Sequence, residues 1–308
     1  MKTKKYLLFV ILSLFLILII YFFVFYNKYE KNSIVVLSVH GYKDNIDYKN
    51  GTGFVYKISD YAYILTNYHV VSDCDDLYVF YDGKRLKARL LNYDDYEDLA
   101  ILTVDKKYIN NYMKFGNSNN IKGSFIRVIT YDNNITKEID GVVFRDVEPV
   151  KISYNNNNGK MLDLIKIKSN IKFGYSGSPI VDKDNYVIGM VTMIDKDNLD
   201  YAYALPSYQL VNKIKILENG SIYRPILGVN VSSSLDINGV IINELYDSYP
   251  FSNALLEVGD IIVAIDDIQI NDVSEFRYYL YKYERNDVVK IKYYRSGEYY
   301  EVYVLLDK

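Results

Sequence analysis

The sequence predicts a mainly β protein with two folded domains behind an apolar N-terminal segment. Short β-rich runs separated by turns follow one another between residues 32 and 206, a spacing typical of an all-β barrel or sandwich. Residues 220–308 combine a second set of short strands with one helix, which indicates a smaller β-rich α+β domain. An uncharged run precedes both. The length of 308 residues suffices for two ordinary domains and a tail.

The strands expected in the first domain are apolar runs that end at turn residues. They span residues 33–39, 53–58, 61–65, 76–81, 125–131, 162–168 and 186–193. A helix should begin at Pro206-Ser207, with one apolar face formed by Leu210, Val211, Ile214 and Leu217. Residues 218–221 then form a linker, so we predict domain boundaries after residues 31 and 219.

The second domain should contain strands at 227–231, 239–245, 260–265, 288–294 and 299–306. Its helix is expected from residue 274 to about residue 283, and Phe276, Leu280 and Tyr283 should face inward.

Residues 6–26 form a run of 21 residues without charge, preceded by Lys2, Lys4 and Lys5. At about 1.5 Å per residue, a helix of this length spans about 30 Å, the thickness of a bilayer core. The run is longer than the apolar part of a removable signal peptide and has no small-residue cleavage site. It therefore predicts an uncleaved transmembrane helix, with residues 1–5 in the cytoplasm, a tether at residues 27–31 and all that follows outside.

Composition excludes one class of partner and one means of stabilisation. The net charge of −3 gives no electrostatic case for binding nucleic acid. The single cysteine, Cys74, cannot form an intrachain disulfide, so packed cores must stabilise both domains.

The strongest chemical signal is a serine between two glycines, Gly174-Tyr175-Ser176-Gly177. Glycine adopts unusual backbone angles readily and leaves space around its amide. A nucleophilic serine needs a tight turn that exposes its hydroxyl and amides that face the oxyanion formed after attack. We therefore interpret Ser176 as a candidate nucleophile.

A serine nucleophile needs a base, most often histidine, and a carboxylate that orients it. Of the two histidines, His69 ends an apolar strand-like run, whereas His40 reads as a surface-loop residue. Asp98 directly precedes the apolar run 99–102, where a carboxylate without a partner would be costly. The order His69, Asp98, Ser176 is that of the chymotrypsin-type double β-barrel, and no histidine follows Ser176 as lipase-type hydrolases require.

Several ordered blocks resemble the HtrA/Deg family of trypsin-like serine proteases, and together they cover nearly everything after residue 30. The blocks are residues 51–54, 64–71, 98–102, 174–179, 187–190 and 203–207. The resemblance implies a trypsin-like double β-barrel over residues 32–219, with His69 as general base, Asp98 as its orienting group and Ser176 as nucleophile. The backbone N–H groups of Gly174 and Ser176 would form the oxyanion hole.

The resemblance also locates the pocket for the residue before the scissile bond, near residues 172–174 and 189–193. Two positions depart from the family pattern: Tyr175 stands where asparagine is usual, and Ser178 where glycine is usual. Neither belongs to the triad, but both adjoin the turn that forms the oxyanion hole.

Residues 224–229 and 258–265 resemble the carboxylate-binding loop and a strand entry of a PDZ domain, here residues 220–308. A PDZ loop holds a peptide's C-terminal carboxylate with backbone amides while the peptide adds as a strand to a sheet edge. The resemblance assigns this role to Ile226, Leu227, Gly228 and Val229.

The resemblance implies a bacterial, single-pass, membrane-anchored serine endopeptidase that works without ATP. Its expected substrates are misfolded or unfolded exported proteins, its PDZ partners are C-terminal peptides, and its expected assembly is the homotrimer common in the family. No metal or organic cofactor is implied. The alternative interpretation is a membrane-tethered PDZ peptide-binding sensor with a weak or silent protease domain, which the departures at Tyr175 and Ser178 keep open.

Overall fold

The computed structural model describes residues 15–17, 32–132, 135–152, 159–220 and 222–308. The predicted transmembrane run at residues 6–26 lies outside this part of the chain, apart from a helical segment at residues 15–17. Among the described residues, no helix is both long enough and apolar enough to span a membrane.

The first six strands close into an antiparallel barrel in the order β1-β2-β3-β6-β5-β4. They are β1 Val36–Lys43, β2 Ile46–Ile58, β3 Ala62–Thr66, β4 Asp76–Tyr81, β5 Lys84–Asp94 and β6 Leu99–Val104. Every residue of β6 is buried, because β6 lies between β3 and β5 and is apolar apart from Thr103. The barrel therefore places Asp98 at the point where the chain enters a buried strand.

A second closed barrel has the order β10-β11-β12-β9-β8-β7. Its strands are β7 Phe125–Asp132, β8 Ile135–Ile152, β9 Lys160–Ser169, β10 Pro179–Val181, β11 Val187–Ile194 and β12 Tyr201–Pro206. Since β10 begins at Pro179, the turn that carries Ser176 leads directly into this barrel. The mainly β, double-barrel expectation is confirmed.

Helix α1, Ser207–Asn219, follows β12 and buries Leu210, Ile214 and Leu217, whereas Val211 is only half-buried. The helix continues into the predicted linker, because Glu218 accepts hydrogen bonds from Tyr56 (2.9 Å) and Lys57 (2.8 Å) of the first barrel. The predicted boundary after residue 219 coincides with the end of α1 and stays a prediction.

The remaining residues form one sheet of order β13-β14-β15-β17-β18, with β16 paired to β15. The elements are β13 Val229–Ser233, β14 Val240–Leu245, α2 Pro250–Asn253, β15 Ile261–Ile265, β16 Ile268–Gln269, α3 Val273–Leu280, β17 Val288–Arg295 and β18 Glu298–Leu305. Phe276 and Leu280 face the core as predicted. Tyr283 lies beyond the helix end, where it is half-buried and packs against the same core, and its hydroxyl donates to Asp266 at 2.5 Å.

Two strands of the structure, β5 and β10, are not predicted by the pattern of apolar residues. Strand β5 was not predicted because it carries four basic residues in its first six positions. Strand β10 has three residues, too few for a pattern to show. Strand β5 is held by pairing with its sequence neighbours β4 and β6. Strand β10 is held by pairing with the next strand, β11, and with the more distant β7.

Candidate active site

His69 lies in a single turn of 3-10 helix, Tyr68–Val70, directly after β3. The N–H of Tyr68 donates to the carbonyl oxygen of Asp98 at 3.2 Å, which ties this turn to the start of β6. The His69 side chain remains 51% exposed. The backbone that carries the imidazole is therefore held in place, while the ring remains accessible to a ligand.

The Asp98 carboxylate accepts three hydrogen bonds, one of them from this imidazole. Its Oδ1 accepts from the backbone N–H of His69 at 2.8 Å. Its Oδ2 lies 2.6 Å from His69 Nδ1 and accepts from the Thr192 hydroxyl at 3.2 Å. Because the carboxylate occupies Nδ1, that nitrogen carries the proton in the neutral ring, which leaves Nε2 as the acceptor a general base needs.

Asp98 itself adopts a left-handed backbone with φ +60°. This region costs a residue other than glycine about 1 kcal/mol, although aspartate tolerates it better than most. Since the carboxylate and the carbonyl of Asp98 both accept hydrogen bonds from the histidine turn, these contacts offset the strain.

Thr192 and Asn67 were not identified from sequence, yet both belong to this network. The Asn67 amide donates to the Asp98 carbonyl oxygen at 2.8 Å and to Thr192 Oγ1 at 3.2 Å. Both residues are buried. The available signal was a polar residue within an apolar run, which is costly unless it is hydrogen-bonded. Thr192 belongs to the second barrel, so the network joins the two barrels.

Ser176 follows a turn in which the Tyr175 N–H donates to the Lys172 carbonyl oxygen at 3.1 Å. Gly174 has φ +90° in this turn, as the third position of a type II turn requires. Within the described part of the chain, the N–H groups of Gly174 and Ser176 donate to no other residue. Both predicted oxyanion-hole amides are therefore available to a ligand.

Gly177 seats this turn against the first barrel. It has φ +84°, and a methyl group on it would lie 2.0 Å from the Thr52 carbonyl oxygen. The Thr52 N–H donates to the Ser176 carbonyl oxygen at 2.8 Å. A methyl group on Gly51 would meet both Val70 Cγ2, at 2.7 Å, and the Ser176 carbonyl oxygen, at 3.0 Å. The serine turn and the histidine turn therefore pack against the same glycine.

The structure thus joins His69 to Asp98 and packs the turns that carry His69 and Ser176 against Gly51. Among the described residues, the Ser176 hydroxyl makes no hydrogen bond to His69. Catalytic hydrogen bonds are often long in ligand-free enzymes and tighten when substrate binds. The triad assignment stays a prediction that this arrangement favours.

The two departures from the family pattern point into the second barrel. Tyr175 is buried in its apolar cluster. Ser178 is fully buried, and its N–H donates to the Tyr175 carbonyl oxygen at 3.0 Å. Its hydroxyl has no hydrogen-bond partner among the described residues. The Tyr175 side chain therefore anchors the nucleophile turn in the core.

The loop before Asp98 is charged, and the side chains of Asp94 and Glu97 in it are mostly buried. Burial raises the pKa of the Glu97 carboxyl, and the Lys213 ammonium 2.5 Å away opposes that rise. Burial also raises the pKa of Tyr96 to about 12. The tyrosine therefore stays protonated and uncharged beside the Glu97 carboxyl at neutral pH.

The surface-loop expectation for His40 is wrong. His40 lies within β1 and is half-buried. Its Nδ1 lies 2.7 Å from Asp47 Oδ2 and its Nε2 lies 2.8 Å from Ser38 Oγ. The hairpin between β1 and β2 folds back and brings Asp47 to the ring.

The predicted carboxylate loop opens onto a cavity of about 610 Å³ between the β13 edge and α3. Gly228 has φ +70°, and a methyl group on it would lie 2.2 Å from Tyr249 Cβ. The N–H of Ile226 donates to the Lys308 carbonyl oxygen at 2.9 Å, so this amide is occupied. Within the described residues, the amides of Leu227 and Gly228 donate to no partner. Val229 starts β13 and pairs with Leu245.

Two family models match the chain. Residues 51–190 match the trypsin-like peptidase domain, and residues 225–306 match the PDZ domain.

Curated relatives match most of the chain. The chain is 28% identical over 280 residues to the serine protease Do-like HtrA of Lactococcus lactis subsp. lactis (strain IL1403), which covers 80% of this chain and 68% of the relative. It is 28% identical over 283 residues to the serine protease Do-like HtrA of Bacillus subtilis (strain 168), which covers 81% of this chain and 61% of the relative.

Solved structures have the same fold. The HtrA-type protease AlgW with a decapeptide superposes with a TM-score of 0.68 at 21% identity, covering 90% of this chain and 96% of that one. The serine endoprotease from Yersinia pestis superposes with a TM-score of 0.66 at 20% identity, covering 90% and 95%.

We predict that Gly177→Ala destabilises the protein by about 3 kcal/mol, because a left-handed backbone and a clash with Thr52 add together. Gly83→Ala is the matched control. Gly83 has φ +70° but open space around it, so only the backbone term of about 1 kcal/mol remains. Urea denaturation followed by circular dichroism measures both free energies of unfolding. Equal losses in the two variants would contradict the close approach at Gly177.

Proposed function

We propose substrates for this chain, which belongs to the HtrA/Deg family of trypsin-like serine proteases and is a serine endopeptidase. The proposed substrates are misfolded or unfolded exported proteins, which it cleaves without ATP. Protein quality control would be its role. His69, Asp98 and Ser176 are the proposed triad. The observation that carries this proposal is the Asp98 carboxylate, which holds His69 Nδ1 at 2.6 Å beside the serine turn.

In the proposed mechanism, Ser176 Oγ attacks the scissile carbonyl carbon while His69 Nε2 takes the hydroxyl proton. Asp98 stabilises the imidazolium that forms. The N–H groups of Gly174 and Ser176 donate to the oxyanion. The C–N bond then breaks as the leaving amine takes the proton from His69. Water, deprotonated by the same nitrogen, attacks the acyl carbon, and Ser176 Oγ leaves and takes that proton back.

An unfolded substrate suits the exposed rim of this site. The Phe173 side chain, next to Gly174, is 94% exposed, and the His69 ring is half exposed. An unfolded chain offers both an extended backbone and apolar side chains, which an exposed aromatic ring can bind.

We predict that Ser176→Ala lowers kcat for denatured casein by about 10⁶-fold, as the loss of a triad nucleophile does in general. Asp98→Asn should lower it by about 10⁴-fold, because the amide favours the wrong imidazole tautomer. Ser124→Ala, at an exposed serine outside the site, should keep full activity. Casein cleavage by a Ser176→Ala protein at near the wild-type rate would overturn the triad.

A fluorophosphonate probe separates this proposal from the peptide-binding sensor. The probe should label wild-type protein and fail to label Ser176→Ala. If wild-type protein stays unlabelled with and without a PDZ-binding peptide, the protease domain is silent and the sensor is favoured.

We propose that the PDZ domain binds the C-terminal carboxylate of a peptide with an apolar last residue. The amides of Leu227 and Gly228 would hold the carboxylate. The peptide would add as a strand to β13, an edge strand whose outer side is unpaired. Leu227, Phe276 and Leu280 line the cavity that would receive the apolar side chain.

Gly228→Ala should weaken binding of a peptide that ends in valine by at least about tenfold, because the methyl group collides with Tyr249 and the loop must shift. Gly297→Ala is the control, since Gly297 also has positive φ but nothing lies within 4 Å of the added methyl. Fluorescence anisotropy measures the affinities. A C-terminally amidated peptide that binds as well as the free acid would contradict carboxylate recognition.

We also propose that residues 6–26 anchor the protein in the cell membrane and that the extracytoplasmic part forms a homotrimer, as the family resemblance suggests. Full-length protein should remain in the membrane after carbonate extraction, and protease added from outside should digest residues 32–308. Recovery of a soluble form lacking the first 30 residues or so would contradict the anchor, and a monomeric mass in sedimentation of residues 32–308 would contradict the trimer.

A further inference from the structure

His40 lies in a hydrogen-bonded chain outside the proposed triad, Ser38–His40–Asp47. The ring also packs edge-on against Phe80, with 4.7 Å between ring centroids. Ser38 lies inside β1, between β2 and β4, so its backbone amide belongs to the barrel ladder. Unlike the amide of Ser176, the amide of Ser38 is therefore not free to donate to an oxyanion. The hydrogen-bonded side chains Ser38, His40 and Asp47 therefore form a structural wall, and Ser38 is not a second nucleophile.

This wall lines a cavity of about 450 Å³ between the two barrels. The first barrel contributes Ser38, His40 and Asn50, and the second contributes Asp132 and the turn 172–175. The lining includes Gly174, whose amide is proposed for the oxyanion hole, but no residue of β11.

The position of this cavity indicates which side of the scissile bond it would contact. The pocket for the residue before the scissile bond is expected at residues 172–174 and 189–193, where β11 runs. The cavity shares the turn 172–174 but faces β1, β2 and β4 instead. An extended substrate that passes Ser176 would therefore place its leaving-group side over this cavity.

Two carboxylates at the cavity are paired, Asp132 in its lining and Asp47 bonded to the lining residue His40, and two donors are free. Asp47 is engaged by His40, and Asp132 is engaged by Lys137 at 2.6 Å. Among the described residues, the Lys172 ammonium and the Asn50 amide have no side-chain partner. A ligand carboxylate would therefore find an unpaired cation and an unpaired N–H donor, and no unpaired carboxylate would oppose it.

We propose that this cavity binds an acidic side chain of the substrate on the leaving-group side of the scissile bond. Lys172 and Asn50 recognise the carboxylate, and the wall formed by Ser38, His40 and Asp47 limits the cavity on the side of the first barrel. This inference rests on the proposed endopeptidase function and adds a preference to it.

The test compares peptides that share one acyl side and carry Glu, Gln or Lys at the two positions after the scissile bond. Wild-type protein should cleave the Glu peptide with a kcat/KM about tenfold above the Lys peptide. Lys172→Glu should reverse this ratio. Lys183→Glu makes the same charge change at an exposed lysine outside the cavity and should preserve the ratio. Asn50→Asp, in the other barrel, should lower the ratio and serves as the independent variant.

Two outcomes separate failure of this inference from failure of the proposed function. Equal cleavage of the Glu, Gln and Lys peptides by wild-type protein, or an unchanged ratio in both cavity variants, would overturn the acidic preference while the endopeptidase stands. No Ser176-dependent cleavage of any peptide would overturn the endopeptidase and this inference with it.

Discussion

The close seating of residues 176–177 on strand β2 is the constraint on which the site depends. The Ser176 carbonyl oxygen accepts from Thr52, and Gly177 approaches the Thr52 carbonyl oxygen so closely that no side chain fits. His69 and Asp98 belong to the first barrel, whereas Ser176 and Thr192 belong to the second. Neither barrel alone contains all of these candidate residues, so the geometry of the proposed site depends on how the two barrels pack against each other.

A second constraint acts on the loop that presents Asp98. The Asp94 carboxylate is fully buried, and Arg224 binds both of its oxygens, at 2.5 and 2.6 Å. Its Oδ1 also accepts from the N–H of Tyr96 at 2.9 Å. A buried carboxylate is stable only when it is paired and hydrogen-bonded. Because Arg224 begins the segment 224–229 that resembles the PDZ carboxylate loop, this pair connects that segment to the loop before Asp98.

Tyr175 and Ser178 raised the question of whether the nucleophile turn can take its active shape. Both side chains are buried in the second barrel, and Gly174 keeps the positive φ that the turn needs. The tyrosine contributes a large apolar anchor where the family usually has a small amide. In this chain, core packing of Tyr175 and the backbone hydrogen bonds of residues 175–178 hold the turn together, and the amides of Gly174 and Ser176 stay free for a ligand within the described residues.

The sequence by itself determined the features that depend only on neighbouring residues. Strand alternation, the buried face of α1 and the glycines at 174 and 177 follow from side-chain periodicity and backbone sterics, and the order of His69, Asp98 and Ser176 indicated the double barrel. Only the tertiary structure decided that Thr192 donates to Asp98 across 94 residues of sequence, and that His40 pairs with Asp47 and Ser38 in a cavity between the barrels. Local pattern could not show these contacts, because barrel closure and barrel-to-barrel packing choose which distant strands become neighbours.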